Sequence, residues 1–580
     1  MVKKFSLKEI DWQKLALQLL PYLAIFIMIT LMISWQLNKH ATFITADRYL
    51  HFYRFYDTKM QLLTGNFSYF QTNYAFYHSG RIFNALYGPL FAYLNGFLVI
   101  TCHTWYRYQI LIDYVVLLIG GVGMYHLGLK VKTQRLLALL LALIYLQFGI
   151  LVGILRANNF MAWGAAIAPY FMIQAVNMIR DRNRPFHWLT IAILVSMMAQ
   201  VHLLSTVILI LTWVPFAIYA LWHTPAKKQM LLVAVKSVAL ALVLTANVWS
   251  AFLILKAGNN ISLPKAFDLT QSTVHLSYTL SSHGRLLPLM VILLLVQVVY
   301  VIFHWRESTF NSFATLVAVV FIFASSSYFP WKAVQQAFPV LKQAFQFSYR
   351  LTVGAWPLLL AGAGISCTQF IKRHPVAGRD YVMLALIFVL LQNFGANTIS
   401  NHRYSMKYNN PHQVIAMGNH YQITKNRLKI AEAVRWGSDS KLFKLATRSE
   451  SDYLPLQGHP SLKKINSLYR HGIIDQNKYY HYRVKGSSLI LNWHSRRKEE
   501  RRLPVVMYQQ SHLTVNGQDS SAAPKNAISL PLIKARKGSN QAVLHFQTPA
   551  AFWLLLLATV ISWFILLIKG ILQLLKRKSN

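Results

Sequence analysis

The stretch 45–57 combines acidic, basic and aromatic side chains at a spacing that suits acid–base chemistry. Asp47 is followed directly by Arg48, and His51 and Arg54 come four and seven residues after Asp47. A carboxylate beside cations can act as a general base on a substrate whose phosphate the cations bind. The stretch comes shortly after the first long apolar run, so we expect this chemistry to take place at a membrane surface.

Helical periodicity groups these side chains. If the stretch is a helix, Asp47, His51 and Arg54 lie on one face. We therefore predict Asp47 as a catalytic base, with Arg48, His51 and Arg54 binding the substrate. The alternative is a solvated interfacial helix in which Asp47 pairs with His51.

Two further acids are secondary candidates. Asp57 stands near Lys59 in the sequence, and we expect it to form an exposed ion pair. Asp113 lies in a predicted membrane span, where an acid is a functional candidate by default. The alternative for Asp113 is an ion pair with Arg107.

Basic and aromatic residues elsewhere are predicted to complete the substrate site. Arg156 lies in a predicted outer turn, and Arg350 begins a span after an aromatic-rich segment. Arginine can hold phosphate through two parallel hydrogen bonds, although it can also be a snorkelling anchor. His78, Arg81 and Tyr87 lie before or at the start of an apolar segment and are predicted to line a groove for an acceptor substrate.

The composition predicts a protein that spans a membrane many times. Hydrophobic residues make up 55% of the 580 residues, and long apolar runs recur. Much of the net charge of +41 lies in short loops between these runs, so topology and anionic lipid explain it better than nucleic acid does. Two cysteines are too few for a disulfide framework or a zinc site. Sequence motifs of soluble nucleotide-binding enzymes, hydrolases and zinc proteases are absent.

Lys/Arg-rich short loops stay in the cytoplasm, which predicts about twelve transmembrane helices with both termini cytoplasmic. The predicted spans are 15–37, 110–130, 135–155, 160–179, 187–203, 205–222, 230–254, 286–304, 312–328, 351–368, 381–397 and 549–573. The apolar segment 84–102, inside the outer loop 38–109, would break this count. We predict that it lies in the outer interface, the alternative being an ordinary span.

The predicted division has three parts: a transmembrane bundle at 1–397, an extracytoplasmic domain at 398–548, and a final helix with a basic tail at 549–580. The middle part is predicted to be mainly β. Alternating residues predict strands at 479–484, 488–493, 503–508, 512–515 and 542–546, with a tight turn at 516–517, in a small antiparallel sandwich. Its basic surface would attract an anionic polymer or lipid headgroups.

The order of the short motifs along the chain resembles the GT-C superfamily of membrane glycosyltransferases and, within it, bacterial YfhO-type membrane proteins. The resemblance covers nearly the whole chain, although each motif is short. The motifs are 47–54, 63–67, 87–90, 345–350 and 513–517.

This resemblance implies an inverting transfer of sugar from a polyprenyl-phosphate donor at the outer leaflet of a bacterial plasma membrane. Asp47 matches the first-loop acid of such enzymes, which serves as general base or metal-associated carboxylate. YfhO-type proteins suggest a cell-wall acceptor such as teichoic acid. The outer turn 156–159 lacks the second acid of many GT-C enzymes, so a divalent metal is doubted and no cofactor is firmly expected.

Two other function classes remain open at this point. The first is a transporter or flippase for lipid-linked glycans, although the chain shows no internal repeat and its charges gather at membrane edges. The second is a membrane protein that assists envelope assembly without catalysing a reaction. The sequence does not identify the sugar or the acceptor.

Overall fold

A computed structural model describes residues 12–157, 160–276, 285–410, 420–422, 426–437 and 439–579. Within these ranges the protein is mostly helical, and a small sheet region lies near the C-terminus. The helices are α1 Trp12–Met32, α2 Ser34–Lys39, α3 Ala46–Thr64, α4 Pro89–Cys102, α5 Trp105–Lys130, α6 Arg135–Tyr145, α7 Ile154–Ala157, α8 Met161–Arg180, α9 Trp188–Val201, α10 Leu203–His223, α11 Lys227–Leu244, α12 Ala246–Gly258, α13 Pro288–Phe303, α14 Thr309–Ser325, α15 Trp331–Ala337, α16 Leu341–Ala344, α17 Thr352–Arg373, α18 Gly378–Asn409, α19 Arg427–Arg435, α20 Asp439–Leu445, α21 Leu462–Tyr469 and α22 Ala550–Ser579.

Six helical segments of the described chain are long and apolar enough to cross a membrane. They are Trp105–Lys130, Met161–Arg180, Leu203–His223, Ser348–Arg373, Gly378–Asn409 and Ala550–Lys576. Helices α11 and α12 make a seventh candidate if they are one span, although they bend by 65° at their junction. This supports the predicted class of helical membrane protein at the level of length and composition. Helix α18 also continues past the predicted domain boundary at 397.

Local sequence explains helix α3, which carries five of the predicted site residues, and helix α4, which follows three more of them. Helix α3 starts after extended Thr45 and ends at Gly65, whose φ of 71° suits glycine in the left-handed region. Helix α4 starts at Pro89, which needs no backbone hydrogen bond in the first helical turn. The apolar segment predicted from residue 84 is therefore shorter as a helix, and a 3₁₀ turn at Asn84–Leu86 precedes it.

The strands gather between residues 481 and 546, with two short pairs earlier in the chain. They are β1 His275–Leu276, β2 Arg285–Leu286, β3 His420–Gln422, β4 Ala446–Arg448, β5 His481–Lys485, β6 Ser488–Ser495, β7 Glu499–Arg502, β8 Ser511–Val515, β9 Gln518–Asp519, β10 Leu532–Ala535 and β11 Gly538–Phe546. The main sheet is antiparallel in the order β5-β6-β11-β8-β9. Four of the five predicted strands belong to it, and the predicted turn at Asn516–Gly517 joins β8 to β9.

The predicted strand 503–508 is wrong, because its backbone bonds to several different segments instead of one partner strand. Val506 N donates to Ser79 O and Met507 N donates to Ser529 O. Ser79 belongs to the segment 38–109, which we call the first outer loop after its predicted location. Pro504 has no N–H to contribute to a ladder. The strands β7 and β10, which pair with each other, were missed by the sequence pattern.

The sheet region packs on the first outer loop and on the start of the last helix. Phe70 of that loop stacks on Phe546 of β11, with ring centroids 4.6 Å apart, and also meets Phe552 of α22. These buried rings hold the loop that contains the predicted site residues against residues from the far end of the chain.

Candidate functional site: the acid cluster at the start of α3

Asp47 lies in the first turn of α3 and is exposed to solvent. A carboxylate at a helix N-terminus is stabilised by the helix dipole, which would suffice to explain it as a purely structural residue. Its carboxylate, however, makes no hydrogen bond or ion pair with any residue in the described ranges. The carboxylate is therefore accessible from solvent.

Besides Tyr349, four ionisable residues from distant parts of the chain interact electrostatically with Asp47. They are Tyr87, Arg350, Glu450 and Asp452, and the charge of Asp47 acts on each of them. We call these five residues the Asp47 cluster. It combines an exposed carboxylate with a cation, a phenol and two further acids.

Tyr87 is held in the cluster by the backbone that follows it. Gly88 has a φ of 73°, and a Cβ atom there would lie 2.1 Å from the carbonyl oxygen of Gln200. Only glycine therefore allows this close approach. The Arg54 guanidinium lies 4.6 Å from the centre of the Tyr87 ring, and the Tyr87 hydroxyl is 3.2 Å from that of Tyr453.

Arg81 positions the two acids that sequence reasoning missed. Its guanidinium is fully buried and donates to the backbone oxygens of Glu450, at 2.6 Å, and of Asp452. Glu450 in turn lies 3.2 Å from the Nε atom of Arg448. Arg81 was predicted to bind substrate, but its burial and these contacts make it a positioning residue for the segment 450–452.

The environment of the acids favours their neutral forms. Burial, with smaller contributions from Asp452 and Asp47, raises the pKa of Glu450 to about 7 against the opposing effects of Arg448 and Arg81. Burial also raises the pKa of Asp452. Carboxyls whose pKa values are raised towards neutral pH are typical of sites of acid–base chemistry, although structural ion-pair networks also contain them.

Arg350 supplies the positive charge of the cluster. Its Nη1 donates to Phe345 O at 2.8 Å and its Nη2 to Gln346 Oε1 at 3.2 Å. The Nε atom is buried and has no hydrogen-bond partner within the described chain. Arg350 thus stabilises the preceding turn and still has a donor without a partner in the described chain. Both predicted roles, phosphate binding and anchoring of the helix end, are consistent with this arrangement.

Arg48 and Asp113 form a separate buried pair. Arg48 Nη2 lies 3.8 Å from Asp113 Oδ1 and also donates to Ile154 O at 2.6 Å. Both side chains are about 1% exposed. Arg48 is therefore not placed to bind a substrate from solvent, and the partner of Asp113 is Arg48 instead of Arg107.

His51 and Arg54 are buried, in contrast to Asp47, and form a hydrogen bond with each other. Arg54 Nη1 is 3.1 Å from His51 Nδ1, while Arg54 Nε donates to Asn84 Oδ1 at 3.0 Å. Burial and the neighbouring Arg54 lower the pKa of His51, so the imidazole is neutral and accepts this bond. The predicted pairing of Asp47 with His51 does not occur, and these two residues support the site without lining it.

Asp57 is a buried structural acid and not the exposed ion-pair partner that the sequence indicated. Its Oδ1 accepts hydrogen bonds from Tyr74 N at 2.8 Å and Ala75 N at 3.2 Å, and its Oδ2 accepts one from Gln61 Nε2 at 2.7 Å. Burial raises its pKa to about 6. It fastens the first outer loop to α3.

His78 lies in a different cleft from Asp47, where it stacks on Tyr482. The side chain of Arg156 and the neighbouring turn residues Asn158 and Asn159 lie outside the described residues. Within the described chain, no group of three or more His, Cys, Asp or Glu side chains is placed to hold a metal ion. A signal for the missed acids existed: Glu450 and Asp452 are two of only 17 acids in the chain and stand two residues apart.

No protein-family model matches this chain, and no curated protein matches it. The resemblance to GT-C glycosyltransferases therefore stays a prediction from short motifs, and the function is argued from the cluster itself.

Proposed function

We propose that the protein is a membrane glycosyltransferase that moves a sugar from a polyprenyl-phosphate donor to an acceptor outside the cytoplasm. The observation that carries this proposal is the environment of Asp47: its side chain is exposed, makes no hydrogen bond within the described residues, and interacts electrostatically with Arg350. A free carboxylate beside a cation suits attack on a phosphate-linked carbon.

In the proposed reaction Asp47 takes the proton of an acceptor hydroxyl. The acceptor oxygen then forms a bond to C1 of the sugar, and the bond from C1 to the phosphate oxygen breaks. The polyprenyl phosphate leaves with the electron pair, and Arg350 stabilises its negative charge. A neutral Glu450 limits the negative charge near this phosphate, which its raised pKa of about 7 favours.

We propose twelve spans with both termini in the cytoplasm of a bacterial cell. The six long helices, the bent pair and five of the six shorter apolar helices make twelve when α4 is left out. Helix α4, with 14 residues, would then lie in the outer interface.

Cysteine labelling tests this placement. Leu63 lies before α4 and Thr101 is the next-to-last residue of that helix, and both side chains are exposed. In a background with Cys102 and Cys367 replaced by serine, cysteines at both positions should react with an impermeant reagent added outside. Labelling from opposite sides would show that α4 crosses the membrane.

An anionic cell-envelope polymer such as teichoic acid is the acceptor that the charge distribution favours. The turn between β6 and β7 exposes Arg496, Arg497 and Lys498, and the whole chain carries +41. A positive surface outside the membrane concentrates polyanions near the site.

The deciding experiment compares envelope glycans in a deletion strain, in a strain complemented with the parental gene, and in one complemented with Asp47→Asn. Loss of one sugar modification in the deletion and Asp47→Asn strains supports transfer. If Asp47→Asn restores the modification, Asp47 is not the base and the cluster is not catalytic. Accumulation of lipid-linked sugar on the inner leaflet would instead favour a flippase.

A further inference from the structure

A second site lies on the opposite face of α3 from the Asp47 cluster. It is a cleft of about 550 Å³ between α3, the loop 74–78, α20 and the turn 474–478. Tyr56 lines it from α3 and stands nine residues after Asp47, which is about two and a half helical turns. Nothing in the proposed transfer reaction uses this cleft.

Aromatic rings dominate the walls of the cleft. Tyr56, Tyr74 and Tyr77 are half-buried, and Phe443 stacks on Tyr53 with ring centroids 4.4 Å apart. Tyrosine offers an apolar ring face and a polar hydroxyl edge. A pyranose ring has the matching pattern, with C–H groups on its faces and hydroxyls around its edge.

The loop that presents these rings adopts a strained conformation. Phe76, Tyr77 and His78 have φ values of 51°, 61° and 52°, although none is glycine. The left-handed region costs about 1–2 kcal/mol for each such residue. Strain of this kind persists where surrounding contacts impose it and is often found at binding sites.

Four hydrogen bonds hold the loop in this conformation. Asp57 accepts the amides of Tyr74 and Ala75, and Asn477 Nδ2 donates to Tyr77 O at 2.8 Å. His78 Nδ1 lies 2.7 Å from the backbone oxygen of Asn73. These hydrogen bonds hold Tyr77 and His78 at the edge of the cleft.

The rim of the cleft carries positive charge. Lys444 of α20 and Lys478 are both exposed there. Asp475 also lines the cleft, and its Oδ2 is 2.9 Å from His471 Nδ1. The two lysines therefore outnumber the one acid of the rim. An anionic substituent on the bound ring would therefore meet two lysines.

We propose that this cleft binds a saccharide that carries a phosphate group, with the sugar ring stacked on the tyrosines and the phosphate at Lys444 and Lys478. The inference does not depend on the transfer reaction, because the cleft lies apart from Asp47. Its ligand can be a unit of an envelope polymer or a sugar headgroup of a lipid, since both present the same phosphosugar.

Saturation-transfer NMR on the purified full-length protein in lipid nanodiscs tests the proposal, with glucose 6-phosphate, glucose and glycerol 3-phosphate as probes. We expect glucose 6-phosphate to bind most tightly, with its ring protons receiving saturation. Lys444→Gln and Lys478→Gln should each weaken its binding about two- to fivefold and leave glucose unchanged. Lys441→Gln, an exposed lysine of the same helix that does not line the cleft, is the matched control and should have no effect.

Tyr56→Leu should weaken both sugars, and Asp47→Asn should weaken neither, which separates this site from the proposed catalytic one. Equal affinity for glycerol 3-phosphate and glucose 6-phosphate would overturn the proposal by showing a phosphate site without sugar recognition. Absence of saturation on both sugars, or equal effects of Lys441→Gln and Lys444→Gln, would overturn it as well.

Discussion

Asp47 and Asp57 stand ten residues apart on the same helix and differ in almost every physical respect. Asp47 is exposed and makes no hydrogen bond to the described chain, whereas Asp57 is fully buried and accepts three. Fold stability depends on the second acid, and the first is free to meet a substrate. Burial and hydrogen bonding therefore distinguish an acid that is available for chemistry from one that stabilises the fold. The spacing of residues in the sequence does not reveal either property.

The largest expected effect is on the rate of transfer, and it should separate these two acids. Asp47→Asn keeps the shape of the side chain and removes the base, so the rate should fall about 10²–10⁴-fold while thermal unfolding stays unchanged. Asp57→Asn should leave the rate per folded molecule near the parental value. Purified variants and a synthetic polyprenyl-phosphate sugar provide the measurement. A collapse of activity in Asp57→Asn alone would reverse our assignment.

The free energy of unfolding should depend on Asp57 and not on Asp47. Asp57→Ala leaves the buried amides of Tyr74 and Ala75 and the Gln61 side chain without their acceptor, which should lower the free energy of unfolding by about 2–4 kcal/mol. Asp57→Asn retains one acceptor oxygen and should cost less. Denaturant titration in detergent measures both values. Equal stability of Asp57→Ala and the parent would contradict a structural role.

Variants of Arg350 test whether the cation in the Asp47 cluster binds the sugar donor, which would support the contrast between Asp47 and Asp57. Arg350→Ala should weaken donor binding by about 1.5–3 kcal/mol and Arg350→Lys by less, because the ammonium keeps the charge but not the planar fork. The control is Gln346→Asn, which shortens the neutral partner of Arg350 and tolerates the φ of 64° at that position. If this control weakens donor binding as much as Arg350→Ala does, Arg350 only braces the turn.

The smallest expected effect is a pH dependence caused by Glu450. Its pKa of about 7 in the folded protein exceeds the ordinary value, so its stabilising contribution is complete at low pH and is lost as the pH rises through 7. Between pH 5 and pH 8 the melting temperature of Glu450→Gln should therefore decline less than that of the parent. Identical slopes for the two proteins would show that Glu450 does not titrate in this range.

Local chemistry was enough to predict the parts of the molecule where neighbouring residues decide the structure. The apolar runs became helices, the pair Gly88–Pro89 begins α4, and the turn at Asn516–Gly517 joins two strands. The helical face shared by Asp47, His51 and Arg54 also follows from spacing, because α3 is a regular helix.

Contacts between distant parts of the chain were not predictable in this way. Nothing near Asp47 in the sequence indicates that Glu450 and Asp452 lie beside it, since that proximity depends on Arg81 and on how β4 meets α3. Likewise Asp57 resembles a surface acid in its own neighbourhood. Its burial follows from the loop 74–75, which folds back over it.

The bond between Arg81 and Glu450 joins residues 369 positions apart and therefore sets an order of events during synthesis. At the usual speed of a ribosome, about 20–75 s pass between the emergence of the two residues. Throughout that interval the guanidinium lacks its final acceptors, and the first outer loop cannot reach its mature arrangement. A nascent chain that stalls before residue 450 therefore leaves Arg81 without the two backbone acceptors that bind it in the folded protein.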